Sequence, residues 1–169
     1  MISVRGMKGK IMQKYTIIKA TPVDANEIGK IAYQVALLHY QNAPDEFKKP
    51  TLKNQTDYIK KSIADKNVLV LCAKSDEKTV GYVVVYFNTL PKEYFHFEKR
   101  AFIGSIAVDE NYRGQGVGTA LLKAVETAVK KKKISALEID VYTFNQDAEK
   151  LYNKLGYKDI KYYKQKILN

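Results

Sequence analysis

Apolar residues recur along this chain with two periods, and these predict alternating strands and helices. A short apolar run predicts a strand at residues 15–20. A helical period predicts a helix at 21–40, where Thr21 and Pro22 suit the N-cap and the first turn. The apolar stripe of this helix consists of Ile28, Ile31, Ala32, Val35 and Leu38. A weaker helix is predicted at 51–65, with inward apolar residues Leu52, Ile59 and Ile63.

The second half of the chain predicts further strands and helices. Two apolar runs around a short polar turn at 68–87 have the form of a hairpin. The elements predicted after it are a strand at 100–108, an amphipathic helix at 117–133, a strand at 135–142, a helix at 145–157 and a final strand at 158–168. This order predicts a mixed α/β fold, as one domain over residues 15–169. Residues 1–14 are predicted to be a flexible extension.

Charge and apolar content indicate which kinds of partner the chain favours. The chain has 169 residues and a formal net charge of +11, mostly from dispersed lysines. The lysine run at 130–133 suits the C-terminal end of a helix. No basic stripe alternates with stacking aromatic residues, so nucleic-acid binding is not indicated. No apolar run approaches the ~18 residues of a membrane span, so no membrane association is expected.

Few residues could form a disulfide or a metal site. Cys72 is the single cysteine, which excludes an internal disulfide and a multi-cysteine zinc site. It lies in an apolar run and is predicted to be a buried thiol. His39 and His96 lack the spacing of metal ligands, so no metal is predicted. These features favour a reducing, cytoplasmic compartment.

The segment VDENYRGQGVGTALL at 108–122 concentrates glycines where a strand passes into a helix. A helix N-terminus offers unpaired N–H donors and a positive partial charge, and glycines let an anion approach the backbone closely. An arginine before the glycines adds a charge suited to phosphate. The turn is therefore predicted to hold a pyrophosphate with Arg113, Gly114, Gln115, Gly116, Val117, Gly118 and Thr119.

Two cofactor classes stay open at this point. A P-loop is excluded because no Lys-Ser/Thr pair follows the last glycine. A dinucleotide fingerprint is nearly matched, with Glu138 and Asp140 about 20 residues further on, where a ribose ligand would lie. Thr119 replaces its third glycine and only one βαβ unit is predicted, so an NAD(P)-dependent oxidoreductase is kept as the alternative.

Two motifs together resemble those of the GNAT superfamily of N-acetyltransferases. Its acyl-CoA-binding motif, Arg/Gln-x-x-Gly-x-Gly/Ala opening a helix after an apolar strand, corresponds to residues 113–118. A second motif, VYTFNQDAEKLYNKLGY, contains Asn145, Tyr152 and Gly156. The resemblance in element order extends over residues 15–167.

The resemblance implies acetyl-CoA as cosubstrate and a bulged strand that diverges from its parallel neighbour. The bulge is expected near residues 106–108, with the pantetheine arm between this strand and 136–142, paired with Val108. A backbone N–H at Ile106 or Ala107 would face the acetyl carbonyl, because preorganised donors stabilise a developing oxyanion.

Catalytic residues follow from the same correspondence. Tyr152 matches the tyrosine that protonates the leaving CoA thiolate, and a phenol of pKa ~10 can donate to a thiolate as charge appears. Core packing is its alternative role. The strand 100–108 carries no carboxylate, and its Ser105 could hold a water but is a poor base. Glu98 and His96 in the preceding loop are the candidates for the base, and a water chain without a dedicated base is the alternative. Asn145 would contact the pantetheine arm and also cap its helix.

Acceptor recognition is expected from the first helix and two loops, with candidates His39, Glu46, Phe47 and Tyr94. The leading hypothesis is transfer of an acetyl group from acetyl-CoA to a primary amine, of a small molecule or a peptide N-terminus, by direct attack and a tetrahedral intermediate. An NAD(P)-dependent oxidoreductase and a non-catalytic domain binding acyl-CoA or nucleic acid are the alternatives. The resemblance also implies a homodimer as a candidate assembly.

Overall fold

The computed structural model describes residues 15–168, so the predicted extension at 1–14 and the last residue lie outside the described part of the chain. In this part, five strands form one sheet in the order β1-β2-β3-β4-β5. They are β1 (Tyr15–Lys19), β2 (Val68–Ser75), β3 (Lys78–Thr89), β4 (Lys99–Val108) and β5 (Ala136–Ile139). Strands β1 to β4 are antiparallel, and β5 runs parallel to β4. The predicted mixed α/β fold is confirmed.

Within residues 15–168, four α-helices cover the two faces of this sheet. They are α1 (Ala25–Asn42), α2 (Leu52–Ala64), α3 (Val117–Lys131) and α4 (Gln146–Lys154). The core on the α1–α2 face includes Ile28, Ile31, Ile59, Cys72, Tyr82 and Val84. The core on the α3–α4 face includes Val83, Val85, Ile103, Leu121, Leu122, Val125 and Tyr152. None of the helices in this range combines the length and the apolar character that a membrane crossing demands.

The central strand β3 is apolar on both sides. From Val80 to Val85 every residue is buried, with Tyr82 and Val84 in one core and Val83 and Val85 in the other. A strand covered by helices on both faces has a continuous apolar run instead of an alternating one. Cys72 on β2 is buried in the same way, as predicted.

Helix ends lie near the predicted bounds, although residues Pro22–Asp24 form a 3-10 turn before α1 and α4 ends at Lys154. Thr21 and Asp24 form a capping box before α1, in which the Thr21 N–H donates to Asp24 Oδ2 at 2.8 Å. The Thr51 hydroxyl oxygen accepts from the Asn54 N–H at 3.2 Å and caps α2. Helix α3 ends at Lys131, inside the lysine run. These contacts join residues close in sequence, so the pattern alone is sufficient to predict them.

The predicted final strand is not formed, because residues 158–168 pair with no strand of the sheet. The apolar residues of this segment occupy both phases of a two-residue alternation, so no single face could be buried. Its exposed apolar residues are Ile160, Tyr162, Tyr163, Ile167 and Leu168.

Two smaller predictions are also wrong. The strand predicted at 135–142 is limited to Ala136–Ile139, because its pairing partner β4 diverges beyond that point. Leu52 is predicted to face inward but is 45% exposed. It lies in the first turn of α2, whereas the helix packs against the core further along, at Ile59.

Candidate active site

Strands β4 and β5 pair over only the first part of β4. Their parallel pairing begins at Arg100 and Ala136 and ends at Ile103 and Ile139. Beyond this point β4 continues to Val108, paired with β3. The sheet therefore opens between β4 and the chain after β5, at the carboxyl ends of both strands, where open α/β sheets bind their ligands. The predicted divergence of the two strands is confirmed.

The bulge of β4 lies at Gly104. Val84 of β3 pairs with Ser105 and Val85 pairs with Ile103, so Gly104 is the extra residue. This differs from the expected position near 106–108. The physical reason is the ring of Tyr86, which a Cβ at position 104 would overlap, so only glycine fits opposite it.

The bulge sets which face each following side chain occupies. Ile103 packs in the α3–α4 core, and a regular alternation would place Ser105 on the same side. The extra residue turns Ser105 to the α1–α2 face, where its hydroxyl lies 2.6 Å from the hydroxyl of Tyr82. Gly104 itself is exposed, although the preceding Ile103 is buried. At the bulge, the α1–α2 face of the sheet therefore adjoins the opening between β4 and the chain after β5.

The glycine turn connects β4 to α3 through a short 3-10 helix at Glu110–Tyr112. Gly114 and Gly116 have φ angles of +71° and +87°, which L-residues with a side chain rarely adopt. Gly116 is the N-cap residue of α3, which begins at Val117. The first N–H groups of α3 therefore follow a turn in which glycines leave the backbone free of side chains. This is the arrangement that the sequence predicts for a pyrophosphate site.

Side chains within the turn hold its shape. Arg113 Nε donates to the Val108 carbonyl at 3.3 Å, and Gln115 Nε2 donates to the Asn111 carbonyl at 3.0 Å. The Tyr15 hydroxyl donates to the Gln115 carbonyl at 3.2 Å. These bonds fix the turn in place, and the exposed Arg113 keeps a positive charge beside the N-terminus of α3.

The second motif lies across the opening from β4. Asn145 Oδ1 accepts from the Ala148 N–H at 3.3 Å, so the N-cap role predicted for Asn145 is present. Tyr152 is 8% exposed, and its ring centroid lies 5.7 Å from that of Tyr157. Burial, together with the negative charge of Asp140 after β5, raises the pKa of Tyr152 to about 12. Tyr152 is therefore a neutral phenol on the α3–α4 face.

Two predicted residues are not brought to this site. Glu98 precedes β4, whose first residue Lys99 pairs with Thr89. The β3 partners of Lys99 and Ser105, which are Thr89 and Val84, are five positions apart, so Lys99 lies about 17 Å from Ser105 at the rise of a β-strand. Tyr94 lies in the same loop and is 83% exposed. Both residues are at the end of β4 opposite to the glycine turn.

His39 and Phe47 do come together, with two aromatic residues that the sequence did not indicate. We call His39, Phe47, Tyr142 and Phe144 the aromatic cluster. The ring of His39 has centroid distances of 5.1 Å to Phe47, 5.3 Å to Tyr142 and 5.5 Å to Phe144. Burial lowers the pKa of His39, so the ring is neutral at physiological pH. The cluster joins the end of α1 to the chain after β5.

Glu46 lies at the edge of the aromatic cluster. Its carboxylate accepts from Gln165 Nε2 at 3.0 Å, and its charge is one cause of a raised pKa of Tyr142, after burial. Tyr142 and Phe144 lie within the sequence motif, but only the turn of the chain after β5 directs them toward α1. Tyr82 is a further residue near the site that the sequence pattern does not single out, because it lies within the continuous apolar run of β3.

The chain belongs to the acetyltransferase (GNAT) family, whose sequence profile matches residues 33–157. Acetyltransferases of this family transfer an acetyl group and use acetyl-CoA or CoA. The motif resemblance of the sequence is thereby confirmed. The fold agrees, because it has a single parallel strand pair among the described residues and not the doubly wound parallel sheet of a dinucleotide-binding domain.

Individual relatives resemble the chain over about half to nine-tenths of its length. An N-alpha-acetyltransferase of Sulfurisphaera tokodaii is 37% identical over 94 residues, which are 53% of this chain and 56% of that protein. The chain spans about half the length of the curated relatives that it matches. The crystal structure of a tetramutant of the BH1408 protein from Bacillus halodurans has a TM-score of 0.84 and 26% identity, covering 90% of this chain and 99% of that one.

A more distant similarity concerns the fold alone. An aminoglycoside N-acetyltransferase, AAC(6')-Iy, solved in complex with CoA, superposes with a TM-score of 0.72 at 14% identity, covering 91% of this chain and 96% of that one.

Proposed function

We propose that the protein transfers an acetyl group from acetyl-CoA to a primary amine, of a small molecule or of a peptide N-terminus. The observation that carries this proposal is the position of the glycine turn, a few residues after the part of β4 that β5 does not pair. The turn offers N–H groups for an anion, and the open edge of β4 offers strand backbone for amide groups. Acetyl-CoA has a pyrophosphate and an amide-bearing arm that match these two features.

The residues present fit this cosubstrate. Residues 113–119 would hold the pyrophosphate, because Gly114 and Gly116 leave the backbone bare and Arg113 adds a positive charge. The backbone of residues 106–108 would bind the arm, and Asn145 would reach it from the start of α4. When bound, acetyl-CoA supplies a thioester, which activates the acetyl group toward an amine.

Tyr152 is proposed to donate a hydrogen bond to the leaving sulfur. Burial and Asp140 raise the pKa of Tyr152 to about 12, so it keeps its proton throughout the physiological range. Full transfer from such a phenol to a thiolate of pKa ~8.5 is uphill, so we expect the hydrogen bond to stabilise the thiolate and solvent to supply the final proton.

The acceptor amine is proposed to approach from the α1–α2 face, where Ser105 and the aromatic cluster lie. The nitrogen must be neutral to attack, and the proton that it releases must reach a base. Glu98 lies beyond the far end of β4, more than five strand positions from Ser105, so we assign this task to water near the Ser105 hydroxyl. The carboxylate of Glu46 would attract a cationic amine to the aromatic cluster.

Other features bear on the choice of function. The name of the Sulfurisphaera tokodaii relative supports peptide N-termini as one acceptor class. Of the two acidic residues that could bind the ribose in the NAD(P) alternative, Glu138 is occupied by an ion pair with Arg100 across the base of the β4–β5 pair. Acetyl transfer is therefore the function that the site supports best.

Two measurements test this function. Calorimetry should detect binding of acetyl-CoA and none of NADH. Incubation with acetyl-CoA and a panel of amines (spermidine, lysine, kanamycin and a peptide with a free N-terminus) should release free thiol with at least one of them. Binding of NADH alone would refute the proposal. Binding of acetyl-CoA without thiol release from any of these amines would instead favour a non-catalytic acyl-CoA-binding protein.

A further inference from the structure

A pair of hydroxyl groups on the α1–α2 face adjoins the opening of the sheet. Tyr82 on β3 is 1% exposed, and its hydroxyl lies 2.6 Å from Ser105 Oγ. A buried phenol needs a hydrogen-bond partner, since a lost partner leaves a desolvated polar group. Ser105 supplies it and is itself only half-buried, next to the exposed Gly104. The Tyr82–Ser105 hydroxyl pair therefore connects the buried core to the exposed backbone at Gly104.

We propose that Tyr82 is a positioning residue, which orients the Ser105 hydroxyl so that it accepts a hydrogen bond from the acceptor amine. This inference rests on the proposed N-acetyl transfer. It adds a residue that acts through Ser105 and does not itself touch the substrate.

The inventory of donors and acceptors supports this orientation. A serine hydroxyl has one hydrogen and two lone pairs. When Tyr82 donates to one lone pair, the second lone pair can accept an N–H of the amine. Burial raises the pKa of Tyr82 to about 12, so the phenol keeps its proton in the physiological range and can donate it to Ser105 Oγ. An amine that is held by its N–H has its own lone pair directed elsewhere, as attack on an acetyl carbon requires.

The bulge explains why the Ser105 hydroxyl lies on the face of the sheet opposite to Tyr152. Ile103 and Ile106 pack against the α3–α4 core, which also contains Tyr152. Ser105 and Ala107 belong to the opposite face because Gly104 shifts the alternation. Donation to the leaving sulfur by Tyr152 and contact with the amine by Ser105 thus come from opposite faces of the sheet, with the opening between them.

A double-mutant cycle tests the role of Tyr82. The probe is acetyl-CoA with the amine of the panel that releases thiol fastest. Tyr82→Phe and Ser105→Ala should each lower kcat about tenfold, with KM for acetyl-CoA within about twofold, because each removes the same oriented hydrogen bond. The double variant should be no slower than Ser105→Ala, and Ser105→Thr, which keeps a hydroxyl, should retain most of the rate.

Tyr58→Phe is the matched control. The Tyr58 hydroxyl lies 3.0 Å from that of Tyr86 on the same face of the sheet, so this variant also removes a part-buried phenol hydroxyl bonded to another hydroxyl. It should leave kcat unchanged. Thermal unfolding of every variant separates lost stability from lost rate.

The possible results discriminate between the two proposals. A normal kcat for Tyr82→Phe, or losses that multiply in the double variant, would overturn the positioning role while acetyl transfer stands. A wild-type protein that binds acetyl-CoA but releases no thiol with any amine of the panel would overturn the proposed function, and this inference with it.

Discussion

The Tyr15 hydroxyl donates a hydrogen bond to the backbone carbonyl of Gln115 at 3.2 Å. This contact joins the first residue of β1 to the glycine turn before α3. A Cβ at Gly116 would approach the same hydroxyl at 3.0 Å, so the side chain lies directly against the turn. The N–H groups that would bind a pyrophosphate are thus held in place by the first residue of the described chain, which is 100 positions before Gln115.

Tyr15→Phe should weaken acetyl-CoA binding by about threefold, because the turn loses one of the bonds that preorganise it. The dissociation constant is measured by calorimetry. Tyr162→Phe, at an 83% exposed position, is the control and should bind normally. An unchanged affinity of Tyr15→Phe would show that the turn does not depend on this bond.

Arg113→Gln should weaken acetyl-CoA binding by about tenfold and make the affinity less sensitive to salt, because a charge beside the phosphates is removed. Titrations at low and high ionic strength measure both effects. Lys123→Gln changes an exposed charge further along α3 and should do neither. Equal losses in the two variants would mean that only net charge matters.

Gly116→Ala should lose both affinity and stability. The φ angle of +87° costs an alanine about 1–2 kcal/mol, and the added Cβ lies against Tyr15 in the turn. Gly156→Ala is the matched control: its φ is +88°, and no atom lies within 4 Å of the added Cβ.

Both glycine variants should therefore unfold at lower denaturant concentrations, and only Gly116→Ala should bind acetyl-CoA less tightly. Equal affinities in the two proteins would place the phosphates away from this turn.

Tyr152→Phe should lower kcat by about 10²-fold while KM for acetyl-CoA changes little, because the lost hydrogen bond forms as charge develops on sulfur. Because burial and Asp140 raise the pKa of Tyr152 to about 12, deprotonation of this residue should cause no loss of wild-type rate below pH ~10. Steady-state rates between neutral and alkaline pH test both statements. A full rate in Tyr152→Phe would leave this tyrosine with core packing alone.

Much of this protein follows from contacts between residues close in sequence. The capping box of Thr21 and Asp24, the apolar run of β3 and the end of α3 in its lysine run could be predicted because propensity and capping act within a few residues. The glycine turn is also predictable from local sequence, since Gly114 and Gly116 are typical of positions with a positive φ, which few other residues tolerate. The two motifs were therefore sufficient to indicate the family.

The tertiary structure alone decided how the site is arranged. The sequence of β4 does not indicate that Gly104 is an extra residue. Its position depends on the ring of Tyr86 on the neighbouring strand, which leaves no room for a Cβ at residue 104. This shift of register places the Ser105 side chain on the α1–α2 face, within hydrogen-bond distance of the Tyr82 hydroxyl. The aromatic cluster, the contact of Tyr15 with the turn and the remoteness of Glu98 likewise depend on residues distant in sequence. Pairing, register and packing between such residues are properties of the folded chain, and no local pattern encodes them.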